Sequence, residues 1–183
     1  MINSNGYWET KEITNHFNDK GLGIELGNYV LKNKYKSVLD LGCGTGYYVS
    51  LLKTLNIEYD AFDGNPFTKE ISNGLGDVLD LSKDFELNKK YDLVMSLEVG
   101  EHIPKEFEDV FINNIIQHSK KKILLSWGIP KQPGEGHINC QTNDYIINKF
   151  EDKGFKYNKI ESQEFRKHAD AWWFKNTIMV FEK

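Results

Sequence analysis

Apolar residues along this chain alternate between a helical and a strand-like spacing. Trp8, Ile13, Phe17, Leu22, Leu26, Tyr29 and Val30 form a roughly helical stripe, interrupted near Gly21 and Gly23. The stripe predicts one or two helices over residues 8–33, an N-terminal helical cap spanning 1–35. Ser37 to Leu41 is a short apolar run ending in glycines, as a buried strand would be. Further spacing predicts a helix over 47–55 and a strand over 58–62, closed by Asp63-Gly64-Asn65-Pro66. A short helix over 67–73 and a brief strand over 76–79 follow. Tyr91 to Leu97 reads as a strand, and 104–118 as a helix with Pro104 in its first turn. A strand over 122–127 precedes a helix over 143–153 that Gly154 ends. Residues 155–160 and 173–181 read as two last strands forming an antiparallel pair.

This alternation implies an α/β fold: a doubly wound, mostly parallel seven-stranded sheet with a C-terminal antiparallel hairpin. Crossovers should be right-handed. Ligands of such sheets sit at the carboxyl ends of the strands, near the point where strand order reverses.

A length of 183 residues fits one domain, 1–183, with a core of its own. Hydrophobic residues at 39% and charged residues at 27% are ordinary for a soluble globular protein. The net charge of −4 provides no global basic field, which disfavours generic nucleic-acid binding. No apolar run approaches the roughly 20 residues of a membrane helix. The polar N-terminus does not read as a signal peptide. Cys43 and Cys140 make neither a CxxC pair nor a metal-type spacing, so free thiols and a cytoplasmic location are expected.

The densest chemical signal is Val38-Leu39-Asp40-Leu41-Gly42-Cys43-Gly44-Thr45-Gly46-Tyr47, between the first strand and its helix. Glycines there let a ligand approach the backbone. The helix start offers free N–H groups to an anion. A dinucleotide site would read GxGxxG; here the spacing is GxGxG, and Tyr47 takes the place of the third glycine. Asp63 ends the second strand, where a carboxylate can accept from both hydroxyls of a ribose. Asp40 precedes the glycines among Val38, Leu39 and Leu41, a costly place for a charge unless it has a partner.

VLDLGCGTG resembles motif I of the class I S-adenosylmethionine (SAM)-dependent methyltransferases. The similarity runs in order through residues 37–127, and more loosely to the end. The segments FDGNP, VLDLS and SLEVGEHIP also resemble methyltransferase-like proteins. The resemblance implies a Rossmann-like methyltransferase fold and SAM as cofactor. Its contacts would be Asp40, Gly42, Cys43, Gly44, Gly46, Asp63 and Gly64, with Asp80 and Leu81 at the adenine and Glu98 at the methionyl end. Asp77 is the other candidate for the adenine carboxylate.

Glu98-Val99-Gly100-Glu101-His102 follows the fourth strand, where methyl and acceptor would meet. Burying two carboxylates and an imidazole together is costly unless they hold a cation, a proton or one another. In one reading Glu98 contacts the methionyl part and His102 is a general base, with His137 as a second candidate. In another, Glu98, Glu101, His102 and His137 surround a divalent ion, a donor set suited to Mg, Mn, Zn or Fe. That arrangement resembles the E-x-x-E-H…H pattern of small-RNA 2′-O-methyltransferases and of some quinone-biosynthesis O-methyltransferases. In a third, Glu101 and His102 merely cap the next helix. Trp172-Trp173-Phe174 reads as hairpin packing or a clamp for an aromatic acceptor, and Tyr7 and Trp8 as part of a lid. Together these readings give methyl transfer to a hydroxyl or amine acceptor, with a small molecule favoured, by a monomer or homodimer. The alternatives are a metal-dependent RNA 2′-O-methyltransferase and a catalytically silent SAM-binding module.

Overall fold

The computed structural model describes residues 2–14 and 16–183. Its elements are α1 (Lys20–Lys32), β1 (Ser37–Leu41), α2 (Tyr47–Thr54), β2 (Glu58–Asp63), α3 (Thr68–Ile71), β3 (Asp77–Val78) and β4 (Tyr91–Ser96). A 3-10 turn (Lys105–Phe107) leads into α4 (Glu108–His118) and β5 (Ser119–Leu125). They are followed by α5 (Asn143–Glu151), β6 (Lys156–Tyr157), α6 (Lys159–His168), α7 (Trp172–Thr177) and β7 (Met179–Glu182).

The strands form one sheet in the order β3-β2-β1-β4-β5-β7-β6. Pairing is parallel from β3 to β5, and β7 runs antiparallel to both β5 and β6. The expected α/β architecture, including the C-terminal antiparallel pair, is therefore present. Strand order reverses between β1 and β4, whose carboxyl ends lie side by side: the Ser96 hydroxyl donates to the Leu41 carbonyl at 2.6 Å.

Alternation along the strands feeds two cores. Val38, Leu93, Met95, Leu124 and Val180 pack on one face with Leu22, Leu26 and Val30 of α1, Leu52 of α2, Phe165 of α6 and Phe174 of α7. Leu39, Leu41, Val94, Ile123, Leu125 and Phe181 pack on the other with Phe111, Ile112 and Ile115 of α4 and Ile146 and Phe150 of α5. Each fully buried aliphatic or aromatic side chain contributes about 2 kcal/mol of transfer free energy. The central strands, apolar on both faces, read as continuous runs for this reason.

The sequence pattern misplaced three segments. Residues 8–18 are not helical where described, and Asn15 lies outside the described residues. Ile13 and Phe17 are half exposed, so their periodic spacing marks no buried stripe. The helix begins at Lys20 because Asp19 caps it, accepting from Leu22 N–H at 2.8 Å. Residues 159–168 form α6, where only a strand ending at Ile160 was expected. Its inward face carries Ser162 and Phe165, and Ile160 is exposed, so the apolar pattern is too sparse to announce a helix. Trp172–Thr177 is a helix too, and the last strand is shortened to Met179–Glu182. Its aromatic run imitates strand composition.

Asp19 is buried and also accepts from Asp170 N–H and Ala171 N–H, each at 2.8 Å, so α1 is fastened to the approach to α7. Asp19→Ala strands these donors as well as the cap. It should cost about 3 kcal/mol in urea unfolding; a loss below about 1 kcal/mol would show that water replaces the carboxylate.

Candidate active site

A cavity of about 530 Å³ opens at the carboxyl ends of β1 and β4. The turn after β1 is held by two amides donating to one carbonyl: Gly42 N–H and Cys43 N–H reach Phe62 O at 2.7 and 3.1 Å. Gly42 has φ +92°, and a Cβ there would lie 2.1 Å from Val99 Cγ2. Only glycine combines that left-handed backbone with that contact. Gly46 starts α2, itself in the left-handed region, with no side chain capping the helix.

Asp63 ties the glycine loop to its own turn. One carboxylate oxygen accepts Gly44 N–H at 3.0 Å, and the other accepts Asn65 N–H at 2.9 Å. Asp80 accepts from the Ser82 amide and hydroxyl on one oxygen, and from Asn5 Nδ2 at 2.8 Å on the other. These donors hold its carboxyl below its ordinary value against the opposing effect of burial. Asp77, the other adenine candidate, is exposed and paired with Lys69 at 2.7 Å. Asp40, Gly42, Cys43, Gly44, Asp63, Gly64, Asp80, Leu81 and Glu98 all line the cavity; Gly46 stands behind it.

Glu98 occupies an uncommon left-handed conformation for a non-glycine residue, φ +56°. Its amide donates to Ser126 Oγ at 2.8 Å, and its carboxylate accepts from Gln132 Nε2 and, at 3.4 Å, from Thr177 Oγ1. Glu101 is fully buried, and among the described residues neither of its carboxylate oxygens has a well-formed hydrogen bond, although its own amide, that of Gly128 and the Glu98 carboxyl lie close. It is seated by Gly100, which lies flat on the Trp127 ring, and by its own carbonyl, which accepts Ile138 N–H and Asn139 N–H. Burial, and secondarily the charge of Glu98, push its carboxyl well above the usual carboxylate range.

Glu101, His102 and His137 place one ligand atom each within 4.8 Å of one another. His137 Nε2 lies 3.9 Å from Glu101 Oε1, and its Nδ1 lies 3.1 Å from the Gln132 carbonyl. Burial, then the neighbouring His137, depress His102 to about 4, so its imidazole is neutral near pH 7. Of the four residues considered for a cation, Glu101, His102 and His137 bring ligand atoms together, and the Glu98 carboxyl lies beside Glu101 while accepting from Gln132 and Thr177.

Residues 2–14 run over the cavity as a strap. Asn5 reaches Asp80, Tyr7 packs on Gly64, the Thr10 carbonyl accepts from Asn65 Nδ2 at 2.8 Å, and Gly6 sits on the His102 carbonyl. Trp8 meets His102 and His16 edge-on, with ring centroids 5.9 and 5.2 Å apart. At the other side Trp173 meets Phe17 at 5.1 Å, while Phe174 is core. Asn5, His16 and Gln132 carried no chemical motif in the sequence, and His16 was expected within a helix over 8–33 that does not form there.

Residues 15–160 match the family model for a methyltransferase domain. The chain belongs to this methyltransferase family. A ubiquinone biosynthesis O-methyltransferase of Rickettsia canadensis (strain McKiel) is 29% identical over 118 residues, covering 60% of this chain and 44% of that protein. The chain thus matches less than half the length of that relative. Among solved structures, magnesium protoporphyrin IX methyltransferase of Synechocystis PCC 6803 with bound SAM superposes with a TM-score of 0.62 at 17% identity, over 87% of this chain and 76% of that one. An amino pentose methyltransferase of calicheamicin biosynthesis from Micromonospora echinaspora, also SAM-bound, gives 0.69 at 12%, over 87% and 89%. At these identities the likeness is one of fold, the class I SAM-methyltransferase fold.

The cavity suits SAM, the cofactor of this methyltransferase class. SAM bears a sulfonium and an ammonium, and Asp40, Asp63, Asp80, Glu98 and Glu135 line the space, with no Lys or Arg among the described lining residues. Asp40 is buried, and burial with the nearby Asp63 charge pushes its carboxyl up to about 8. A folded-state value raised from 3.8 gives a contribution to stability that is complete below pH 3.8 and is lost as pH rises through about 8. The melting temperature of the ligand-free methyltransferase should therefore fall between pH 5 and pH 8, with a smaller slope in Asp40→Asn. Equal slopes in the two proteins would remove Asp40 as a source.

Proposed function

We propose that this methyltransferase transfers the methyl group of SAM to a hydroxyl of a small-molecule acceptor, with a divalent cation at Glu101, His102 and His137 assisting. The observation that carries this reading is the Glu101 carboxylate, fully buried, with no well-formed hydrogen bond among the described residues and two imidazoles beside it. A charge so placed is costly unless neutralised, and one carboxylate with two imidazoles is a donor set for Mn, Fe or Zn.

In this reading Asp63 and Gly64 hold the ribose, Asp80 and Leu81 read the adenine, and Gly42, Cys43 and Gly44 accommodate the chain leading to the sulfur. Gly46 contributes by starting α2. Asp40 and Glu98 face the ammonium and sulfonium end. SAM supplies an already activated methyl group, so the chain's work is alignment and exclusion of water. The cation at Glu101, His102 and His137 would lower the pKa of the acceptor hydroxyl and orient it. Beside that site, Glu98 is positioned by Gln132, Ser126 and Thr177 to fix the methyl donor.

The carboxylate-lined cavity and net charge of −4 favour a small molecule over a polyanionic RNA acceptor. The relatives named above, an O-methyltransferase and enzymes of porphyrin and amino pentose, support the same class of acceptor. Free thiols at Cys43 and Cys140 accord with a cytoplasmic enzyme. Among the described residues, no helix is long and apolar enough to cross a membrane.

EDTA should abolish methyl transfer, and added Mn²⁺ or Zn²⁺ should restore it. Glu101→Gln should weaken Mn²⁺ binding by at least about 100-fold in calorimetry. The same variant should melt higher than wild type without metal, because it relieves a buried carboxylate next to Glu98. Full activity in EDTA would sink the metal reading.

A further inference from the structure

SAM brings one group for which the described lining residues offer no Lys or Arg: the carboxylate of its amino-acid moiety. Those residues include five carboxylates. Three imidazoles line it, and two of them, His102 and His137, belong to the Glu101 cluster. The third is His16, carried by the segment that follows the strap.

His16 lies on the glycine loop itself. A Cβ built on Gly44 would fall 2.6 Å from His16 Cδ2 and 3.0 Å from Nε2, so this ring edge sits directly over the middle glycine of GCGTG. The Trp8 ring holds the imidazole in place edge-on, at 79°. His16 Nδ1 is buried and makes no well-formed hydrogen bond among the described residues, with the Ile13 carbonyl nearby. No such bond compels the proton onto Nδ1, so it can reside on Nε2, beside the loop. Burial lowers the pKa of the ring and the neighbouring Asp63 opposes that, but an imidazole donates an N–H in either protonation state.

We propose that His16 is a cofactor-binding residue that donates from Nε2 to the amino-acid carboxylate of SAM and of its product S-adenosylhomocysteine. The assignment rests on the reading of this cavity as the SAM site. It makes the segment between strap and α1 a source, beside the uncapped start of α2, of a hydrogen-bond donor for an anion in a cavity lined by five carboxylates. It also explains why Gly44 must lack a side chain, since any Cβ would displace the ring.

The test compares two ligands that differ in the proposed contact. S-adenosylhomocysteine carries the amino-acid group; 5′-methylthioadenosine has the same nucleoside and thioether without it. In calorimetry, His16→Ala should weaken S-adenosylhomocysteine by about tenfold or more, the scale of a hydrogen bond to a charged group. Its affinity for 5′-methylthioadenosine should be unchanged. His16→Gln, which keeps an N–H donor, should recover part of the loss. Thermal melting without ligand checks that both variants fold, and His16→Gln carries the comparison if His16→Ala does not. Undiminished binding of S-adenosylhomocysteine to His16→Ala overturns the proposal, as does an equal loss for both ligands, which would place His16 at the nucleoside. Wild-type protein that binds neither ligand overturns the SAM reading and the proposal with it.

Discussion

Carboxylates withdrawn from water at the ends of β1 and β4 impose the conditions that the surrounding loops meet. Asp40, Glu98 and Glu101 lie at or just beyond those ends, Asp40 and Glu101 almost fully buried, with no Lys or Arg among the described lining residues. Such groups either take up protons or attract cations. The burial-driven rise of Asp40 and Glu101 above the usual carboxylate range shows the first response. A sulfonium cofactor and a divalent ion are the partners that would bring the second. The site is thus built against its own ligand-free stability, as functional sites often are.

Two separate devices keep the carboxylates apart in role. Glu98 is fixed by neutral partners: its amide donates to Ser126 Oγ just after β5, and its carboxylate accepts from Gln132 in the following loop and Thr177 of α7. Glu101 is fixed through its backbone, with Ile138 and Asn139 donating to its carbonyl while its carboxylate oxygens make no well-formed hydrogen bond among the described residues. Asn139 is itself locked: its carbonyl accepts Trp127 Nε1–H at 2.7 Å, and its Nδ2 donates to buried Glu108 at 3.0 Å. The loop that delivers His137 is therefore pinned immediately after that residue.

The central strands β1 and β4 were legible in the sequence because they are buried almost throughout and lead into loops rich in glycines and acids. Ser37–Leu41 leading into GCGTG and Tyr91–Ser96 leading into EVGEH were read close to their observed limits. The outer elements were less legible. α6 turns few apolar residues inward, and the aromatic run in α7 mimics a strand. At the site, residues on strand ends could be placed by spacing together with the resemblance of their motifs to methyltransferase motifs. Asn5 and Gln132 could not, since irregular segments have no period, and His16 was hidden by a helical spacing over 8–17 that the fold does not follow. His137 lay between these cases: its residue type suggested a role, but only the fold puts its Nε2 3.9 Å from Glu101.

The strap at residues 2–14 touches Asp80 through Asn5, the Asp63 turn through Tyr7 and Thr10, and His102 through Gly6 and Trp8. One continuous stretch of backbone thus spans the Asp63–Asp80 end of the cavity and its His102 end together. On the proposed reading of those ends, peeling it back at one would loosen the other, so the two ligands would not exchange through independent doors. Were opening of this segment the slow step, residues 2–14 would set the pace of ligand exchange from outside the reacting groups.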